Sequence, residues 1–415
     1  MKKSIYSQRG GTFLILAFLS VGAFAQKADS VITQGGLNDV YYSFKNGITA
    51  EVDKSTWDIA LNTAGFDASI LINENAGVEL YSYSSNVDDW DNVDTAGFDF
   101  KKIYNSTESW ENGAFVRLAS GHPDYGWGTY TGAHDVVGNR IFILRDRNEV
   151  YHQVVIEKMS AEGVYTIKTA DIGGGNTVML DVNKKDAAFA GKNFVHVDLA
   201  SQQVLNNEPL RGDWDLLFTK YTDLVPARNG DLVPYKVSGV KINKGYQVAE
   251  RSGLPTASND TNNLNWKTDI TEIGSDWKNF DFGSFSYLMT DSLSYFVKGD
   301  GGSVWKINFT NFIGGATGGY YFNAEQLRTS ASVNRVQELA TRVYPNPSNG
   351  RFTVENKEND VLVVSLITLT GKVLKSYNLT PNSAMSIDAT SLVPGLYILS
   401  IYSNDKLSTQ RIVIK

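Results

Sequence analysis

Hydrophobic and polar residues alternate with a period of two along most of this 415-residue chain. In a β-strand that alternation places the apolar side chains on one face, whereas a helical pattern repeats about every 3.6 residues. Clusters of Gly, Asn, Asp and Ser separate the alternating runs, and the 37 Gly suit a chain with many turns. The pattern predicts an all-β protein. Its clearest strands are expected at residues 140–144, 150–156, 194–199 and 362–367.

One short stretch has a helical pattern, residues 333–341 (VNRVQELAT). Its place between two β-rich regions predicts a linker, to which we assign residues 329–341. We therefore expect an antiparallel β body at residues 26–328 and a small C-terminal domain at residues 342–415.

A Trp-Asp motif at the start of a predicted strand occurs twice in the body. Residues 57–61 (WDIAL) recur 157 positions later as residues 214–218 (WDLLF). The same offset aligns residues 125–130 with residues 282–287. Self-similarity of this kind is typical of an internal repeat.

A predicted hairpin extends the repeat, because residues 142–151 align with residues 296–305 at an offset of 154. We predict two divergent copies of one β unit, residues 26–185 and residues 186–328. A pseudo-twofold axis would then superpose Trp57 on Trp214 and Tyr151 on Trp305. Chance matching of aromatic strand motifs is the alternative.

The first 25 residues have the pattern of a secretory signal peptide. Lys2, Lys3 and Arg9 form a basic start, an apolar run follows at residues 13–18, and residues 23–25 (AFA) form a small-x-small cleavage site. A membrane anchor is the alternative, but it would need about 20 apolar residues. No later run is apolar enough to span a membrane, so we expect cleavage after residue 25 and no transmembrane segment.

The amino-acid composition excludes several classes of function. The chain has no cysteine, which excludes disulfides, thiolate nucleophiles, iron–sulfur clusters and Cys-ligated zinc. Its net charge of -7 offers no basic surface for nucleic acid. Only four His are present, so a His-based site must use some of them.

Acidic residues give weak candidates for chemistry. Asp58 and Asp215, which follow the repeated Trp, could form an acid/base pair, but we expect them to accept backbone hydrogen bonds instead. The acidic run at residues 88–94 (DDWDNVD) could bind calcium, although it lacks the Gly and Glu of an EF-hand loop and reads better as a solvated loop. With no serine nucleophile elbow and no zinc motif, we expect neither an enzyme, nor catalytic residues, nor a metal site.

An aromatic, Gly-rich loop between His122 and His134 is the best candidate for gripping a flat ligand. It supplies Tyr125, Trp127 and Tyr130 for ring contact, and an imidazole at either end for ligation. Surface or structural imidazoles are the alternative. A third histidine, His196, is expected near solvent because it alternates with apolar residues.

Four motifs follow the linker in order: residues 343–350 (VYPNPSNG), 369–374 (LTGKVL), 392–397 (LVPGLY) and 411–415 (RIVIK). They resemble the type A C-terminal sorting domain of the type IX secretion system of Bacteroidota. The resemblance implies the secretion machinery as partner, transport across the outer membrane, removal of the domain, and release or surface attachment. The Pro-Asn-Pro turn and about seven short strands predict a small β-sandwich. The sorting-motif residues are Tyr344, Pro345, Asn346, Pro347, Gly350, Gly371, Pro394, Gly395 and Tyr397.

The body carries segments that resemble the HmuY-like family of secreted Bacteroidota proteins over residues 35–328. The segments are residues 41–44 (YYSF), 57–60 (WDIA), 150–151 (VY), 164–167 (VYTI) and 214–221 (WDLLFTKY). Founding members are all-β haem-binding proteins whose iron is held by an axial pair, usually His. The resemblance implies haem as ligand but assigns the axial pair to no residue, because this chain differs from the family in length and in its few His.

We therefore expect a secreted or outer-membrane surface protein that binds a ligand, with haem as the leading candidate and no other cofactor. The alternative is a surface adhesion or glycan-binding module without haem. In that case Trp90, Trp110 and Trp127, which lie near predicted loops, would stack on sugar rings.

Overall fold

Strands account for nearly all regular structure in this protein, which confirms the all-β prediction. The computed structural model describes residues 26–227, 229–329, 339, 341–368, 373–403 and 406–415. The predicted signal peptide and most of the predicted helical linker lie outside the described residues. Within the described residues no helix is long and apolar enough to cross a membrane. The chain divides into two compact units after residue 330, here called the body and the C-terminal unit.

Short strands and single helical turns build the body. The first strands are β1 (Lys27–Ile32), β2 (Asn38–Ser43), β3 (Gly47–Asp53), β4 (Ile59–Asn62), β5 (Ile70–Ile72), β6 (Glu79–Ser84), β7 (Lys102–Ile103), β8 (Gly128–Tyr130), β9 (Val136–Gly138), β10 (Ile141–Arg145), β11 (Tyr151–Met159), β12 (Val164–Asp171) and β13 (Val178–Asn183). The others are β14 (Phe194–Asp198), β15 (Gln203–Leu205), β16 (Leu216–Pro226), β17 (Leu232–Ile242), β18 (Gln247–Arg251), β19 (Lys278–Asp281), β20 (Ser286–Met289), β21 (Ser294–Lys298), β22 (Val304–Ile313) and β23 (Gly319–Arg328). The helical turns are Lys54–Thr56, Val87–Asn92, Ala114–Val116, Ala187–Phe189, Arg211–Asp213, Asp300–Gly302 and the π-turn Gly314–Gly318.

Antiparallel pairing forms five sheets among the described residues of the body, and we group them into two sets according to the hydrophobic core that each sheet lines. The first set holds a sheet with the path β13-β12-β11-β10-β6-β7, to which β8 and β9 attach through β11, and the sheet β15-β14-β4-β5. The second set holds the sheets β1-β23-β22-β21-β18 and β17-β16-β2-β3, together with the β19-β20 hairpin. We call the first set module A and the second module B.

Each module has its own hydrophobic core, and the cores do not follow the predicted copies. The core of module A draws on Ile59 through Leu199, whereas that of module B combines Val31 through Phe44 with Leu216 through Ala324. Strands β14 and β15 thus complete the first module, and β1 to β3 complete the second. The modules therefore do not coincide with the predicted copies, because the β2-β3 hairpin pairs with β16 and the β14-β15 hairpin pairs with β4. The division into two copies between residues 185 and 186 stays a prediction.

The two Trp-Asp motifs have matching surroundings. The Asn73 side-chain amide donates to the carbonyl of Trp57 at 2.9 Å, and that of Asn243 donates to the carbonyl of Trp214 at 2.7 Å. Each adjacent Asp accepts a backbone N–H from the other half of the chain, Asp58 from Leu199 at 2.9 Å and Asp215 from Phe44 at 2.6 Å. The structural role expected for both Asp is confirmed, while descent from one duplicated unit stays a prediction.

The long hairpins of the modules differ by one residue from the predicted alignment. Arg145 pairs with Tyr151 at the end of the β10-β11 ladder, and Lys298 pairs with Val304 at the end of the β21-β22 ladder. Tyr151 therefore occupies the position of Val304 rather than that of Trp305.

The described residues of the C-terminal unit form seven strands, in two sheets around one core that includes Phe352, Val364, Leu399 and Ile412. The strands are β24 (Thr341–Tyr344), β25 (Arg351–Asn356), β26 (Leu362–Ile367), β27 (Val373–Leu379), β28 (Ala384–Asp388), β29 (Gly395–Ser403) and β30 (Lys406–Ile414). Their order is β24-β25-β28 in one sheet and β27-β26-β29-β30 in the other. This is the small sandwich that the sequence predicts.

Candidate functional site

The loop between His122 and His134 brings both imidazoles to one tyrosine. The Tyr130 hydroxyl forms a 2.5 Å hydrogen bond with Nδ1 of His134, and the His122 ring lies 5.2 Å from the Tyr130 ring. Both histidines are exposed, and Tyr130 is half-buried. The hydrogen bond engages Nδ1 of His134, so Nε2 is the other ring nitrogen of that imidazole.

Trp127, predicted as part of the same wall, lies elsewhere. It is fully buried in the core of module A, and its indole N–H donates to the carbonyl of Ala68 at 3.0 Å. The neighbouring Gly126 has φ +82°, and a Cβ there would lie 3.0 Å from the backbone of Phe115. That glycine therefore permits close packing inside the protein rather than close approach of a ligand. Only Tyr125 and Tyr130 remain as half-buried rings beside the two histidines.

Other residues expected at the surface are also buried. His196 lies on β14 with 3% of its surface exposed and stacks on the Trp57 ring at 4.2 Å, so the prediction that it lies near solvent is wrong. Trp90 and Trp110 are each 7% exposed, which leaves neither face free for a sugar ring. Alternation in sequence does not reveal that both faces of a strand are covered.

The acidic run supplies local hydrogen bonds. Asp89 accepts the Ser84 hydroxyl at 2.6 Å, and Asp94 accepts the Ala96 amide at 2.9 Å. These bonds order the loop around the helical turn Val87–Asn92.

A cavity of about 60 Å³ lies between the two modules, where both Trp-Asp motifs meet. Trp57 lines the cavity from module A, and the His196 ring stacks on its face. Trp214 lines it from module B, and the Tyr41 ring packs edge-on against Trp214 at 5.0 Å. Trp110 completes the aromatic wall, and its indole N–H donates across the modules to the Ile242 carbonyl at 2.9 Å.

Ionisable groups also line this central cavity. Burial raises the pKa of Glu208 to about 8 and also raises the pKa of Asp39 and Glu74. Burial lowers the pKa of His196 to about 4 and also lowers the pKa of Lys241. Burial disfavours the charged form of every one of these groups.

Lys241 is held by aromatic rings. Its ammonium group lies 4.7 Å from the ring centre of Tyr221 and 5.2 Å from that of Trp110. Among the described residues it forms no ion pair within 4.0 Å, and its electrostatic attractions come from Glu74, Asp39 and Asp223. Cation–π contact thus replaces an ion pair at this position.

Sequence reasoning did not single out Asp39, Glu74, Glu208 or Lys241. Each lies on an ordinary alternating strand or loop, and only the fold brings them together from both modules. The one available signal was the repeated Trp-Asp motif, since its two Trp side chains line the same cavity.

The sorting motifs lie on the C-terminal unit and order its end. The Asn346 side chain donates to the Arg411 carbonyl at 2.6 Å and accepts the Val413 N–H at 3.0 Å. The Tyr397 hydroxyl donates to the Val393 carbonyl at 2.7 Å. Gly371 lies outside the described residues. The first and last motifs are therefore bound to each other.

Comparison with known proteins supports one of the two family resemblances found in the sequence. Residues 342–415 match the family described as "Secretion system C-terminal sorting domain". No curated protein matches the chain. A solved structure described as "Biofilm associated protein - BSP domain" shares 11% identity over 96% of this chain and 68% of its own, with a TM-score of 0.16, too low to carry an argument.

The family match does not extend to residues 35–328, so the HmuY-like resemblance stays a prediction. Residues 342–415, within the C-terminal unit, form a secretion-system sorting domain, as the sequence predicts. The protein is therefore one that a secretion system exports to a secreted or cell-surface location.

Proposed function

We propose that this protein is a ligand-binding protein that carries an N-terminal signal peptide and reaches the outer-membrane surface or the medium through type IX secretion. The sorting domain supports export, and the resemblance of residues 35–328 to HmuY-like proteins supports ligand capture by the body. No catalytic role is proposed for any residue.

Haem is the ligand that we propose for the loop between His122 and His134. The observation that carries this proposal is the convergence of two exposed imidazoles on Tyr130. His122 and His134 would hold the iron, and Tyr125 and Tyr130 would contact the ring edge. The tyrosine hydroxyl would also fix the orientation of the His134 imidazole, as outer partners of metal-binding histidines do.

Titration of the purified protein with haemin tests this proposal. We expect a shifted Soret band at micromolar haemin, and its loss in the double variant His122→Ala/His134→Ala with an unchanged circular dichroism spectrum. His152→Ala is the matched control, because that histidine lies away from the loop, beside Asp146. A double variant that binds as well as wild type would refute the site.

Surface adhesion without haem is the second candidate. Aromatic residues at the tip of the β19-β20 hairpin favour it, since Phe282 and Phe285 are 75% and 79% exposed. Large exposed apolar side chains that cluster at a tip often mark contact surfaces. If wild-type protein shows no haem-dependent spectral change, a glycan and adhesion screen of the same protein becomes the next test.

A further inference from the structure

We propose that an open pocket on the surface of module A binds an amphipathic carboxylate, a ligand with one carboxylate group on an apolar body. The pocket lies between β6, the segment at residues 98–104 that contains β7, and residues 117–118, which follow the helical turn Ala114–Val116. The inference is independent of haem binding, because the pocket and the loop between His122 and His134 share no residue.

The pocket is large enough for a small organic ligand. Its volume is about 620 Å³, and ligand sites in proteins usually enclose about 300–1,000 Å³. The six carbons of benzene occupy roughly 150 Å³ in an engineered cavity, which is about 25 Å³ per non-hydrogen atom. At that density the pocket has room for about 25 non-hydrogen atoms, and a decanoate ion has only about 12. An apolar chain or ring system of moderate size therefore fits.

Half-buried apolar side chains form the base of the pocket. Ile103 packs against the core of module A and lies opposite Leu80 in the β6-β7 ladder. Phe98 packs against a second hydrophobic cluster, with its ring centre 5.5 Å from that of Tyr83. Tyr104 is half-buried beside them. Removal of this apolar surface from water favours a ligand with an apolar body.

Cationic side chains form the rim of the pocket. Lys101, Lys102 and Arg117 are exposed, and Asp99 is the one acidic side chain among the described residues that line the pocket. Three cations and one anion give the lining a formal charge of +2, on a chain whose net charge is -7. Such a local field favours an anionic ligand over a cationic one.

Two of the three cations have no partner in the protein. Lys102 forms an ion pair with Glu79, whereas neither Lys101 nor Arg117 forms an ion pair or a side-chain hydrogen bond with any described residue. Water solvates both, so exchange of that water for a carboxylate contributes only a modest affinity. The apolar base must supply the rest, and for this reason we expect an amphipathic ion rather than a simple one.

The Ser82 side chain adds a neutral donor to the pocket. Its hydroxyl oxygen accepts a hydrogen bond from the Arg140 guanidinium at 3.0 Å, and its proton has no acceptor among the described residues. A carboxylate accepts hydrogen bonds and donates none, so the donors of this pocket match it.

Isothermal titration calorimetry of the full-length protein with decanoate tests the proposal. We expect saturable binding of one decanoate, which weakens as salt is added because the charged contacts are exposed. Decyltrimethylammonium has the same chain and the opposite charge, and acetate has the same charge without the chain. Neither should bind at the concentrations at which decanoate does.

Charge-reversing variants locate the site. Arg117→Glu and Lys101→Glu should each raise the dissociation constant of decanoate about tenfold, because a repulsion replaces an attraction of similar size. Lys45→Glu is the matched control, since Lys45 is also exposed but lies between β2 and β3, outside the pocket. All three substitutions are at exposed positions, and circular dichroism checks that the fold is unchanged.

Three results would overturn the proposal. They are the absence of saturable decanoate binding, equal affinity for decyltrimethylammonium, and wild-type affinity in both pocket variants, which would place the ligand elsewhere on the protein. The double variant His122→Ala/His134→Ala should bind decanoate as wild type does, so the failure of haem binding and the failure of this site are distinguishable.

Discussion

Two titratable side chains of the central cavity have pKa values that burial moves in opposite directions. The pKa of Glu208 rises from 4.5 to about 8, and that of His196 falls from 6.5 to about 4. In both cases the folded protein holds the neutral form, because the cavity wall solvates a charge poorly. Each group makes stability depend on pH in its own range.

The signs of the two effects differ. From about pH 4 to 6.5 the unfolded chain binds a proton at His196 that the folded protein does not, so stability rises with pH and is constant above that range. From about pH 4.5 to 8 the folded protein keeps a proton on Glu208 that the unfolded chain releases, so stability falls as pH rises. Between pH 6.5 and 8 only the Glu208 effect remains of the two.

We predict that Glu208→Gln flattens the dependence of stability on pH between 6.5 and 8. Glu208 makes wild type lose up to about 1.4 kcal/mol of unfolding free energy per pH unit there, and a neutral Gln removes that contribution. Urea unfolding at pH 6.5, 7.25 and 8 measures both slopes. Glu51→Gln is the control, because Glu51 lies 157 positions earlier but is exposed. An unchanged slope in Glu208→Gln would contradict the assignment.

At the scale of elements, each half of the body contributes a hairpin that pairs with a strand of the other half. This hairpin exchange determines which strands depend on each other for their stability. The β2-β3 hairpin precedes β4 along the chain, yet β2 pairs with β16, with Tyr42 opposite Leu216. The β14-β15 hairpin pairs in turn with β4, with Val197 opposite Ile59. Module A is thus one continuous segment, and module B joins the start of the body to its end.

Tyr42→Ala should loosen module B and spare strands β4 to β6 of module A, although these lie closer to Tyr42 in sequence than β16 and β23 do. Tyr42 is fully buried, packs edge-on against Phe44, Phe218 and Phe322, and donates to Asp29 at 2.9 Å. Loss of a buried aromatic ring costs about 3–5 kcal/mol. Hydrogen exchange followed by mass spectrometry should show faster exchange in residues 216–226 and 319–328.

The comparison for this prediction lies in module A. Exchange in residues 59–62 and 70–84 should stay as in wild type, although these residues follow Tyr42 more closely in sequence. Ile72→Ala is the reciprocal variant, since Ile72 belongs to the module A core and should leave residues 319–328 unaffected. Faster exchange in both modules of either variant would mean that they unfold as one unit.

The strands could be predicted from sequence, but their partners could not. Alternation placed strands at residues 362–367 and 194–199, and the structure has them at Leu362–Ile367 and Phe194–Asp198. A period of two reports which side chains share a face but not which strand lies alongside. Three features depend on strand pairing, and the sequence pattern therefore does not reveal them. They are the hairpin exchange, the burial of His196 and the cavity that brings Glu208 and Lys241 together.

At the scale of the whole molecule, the C-terminal unit has the features of a self-contained sorting signal. It has its own core, and hydrogen bonds join its first sorting motif to the end of the chain. The Ser348 N–H donates to the Val413 carbonyl, and the Lys415 N–H donates to the Ser348 carbonyl. We therefore predict that the secretion machinery recognises the folded unit rather than a linear peptide.

We predict that deletion of residues 342–415 retains the protein in the periplasm. The deleted segment is the one that matches the sorting-domain family, while the predicted signal peptide remains. Immunoblots of periplasmic, surface and medium fractions measure the distribution. Normal amounts of truncated protein at the surface or in the medium would contradict the role of the domain.

A single substitution tests whether export requires the sorting domain to be folded, rather than only present in the chain. Gly350 has φ +88°, and a Cβ there would lie 2.9 Å from Cα of Thr390, so Gly350→Val must displace the backbone of the sandwich. We expect this variant to accumulate in the periplasm like the deletion, at full length. Val373→Thr, at a position that is 56% exposed, should be exported as wild type is. Export of Gly350→Val at the wild-type level would contradict a requirement for the undistorted sandwich.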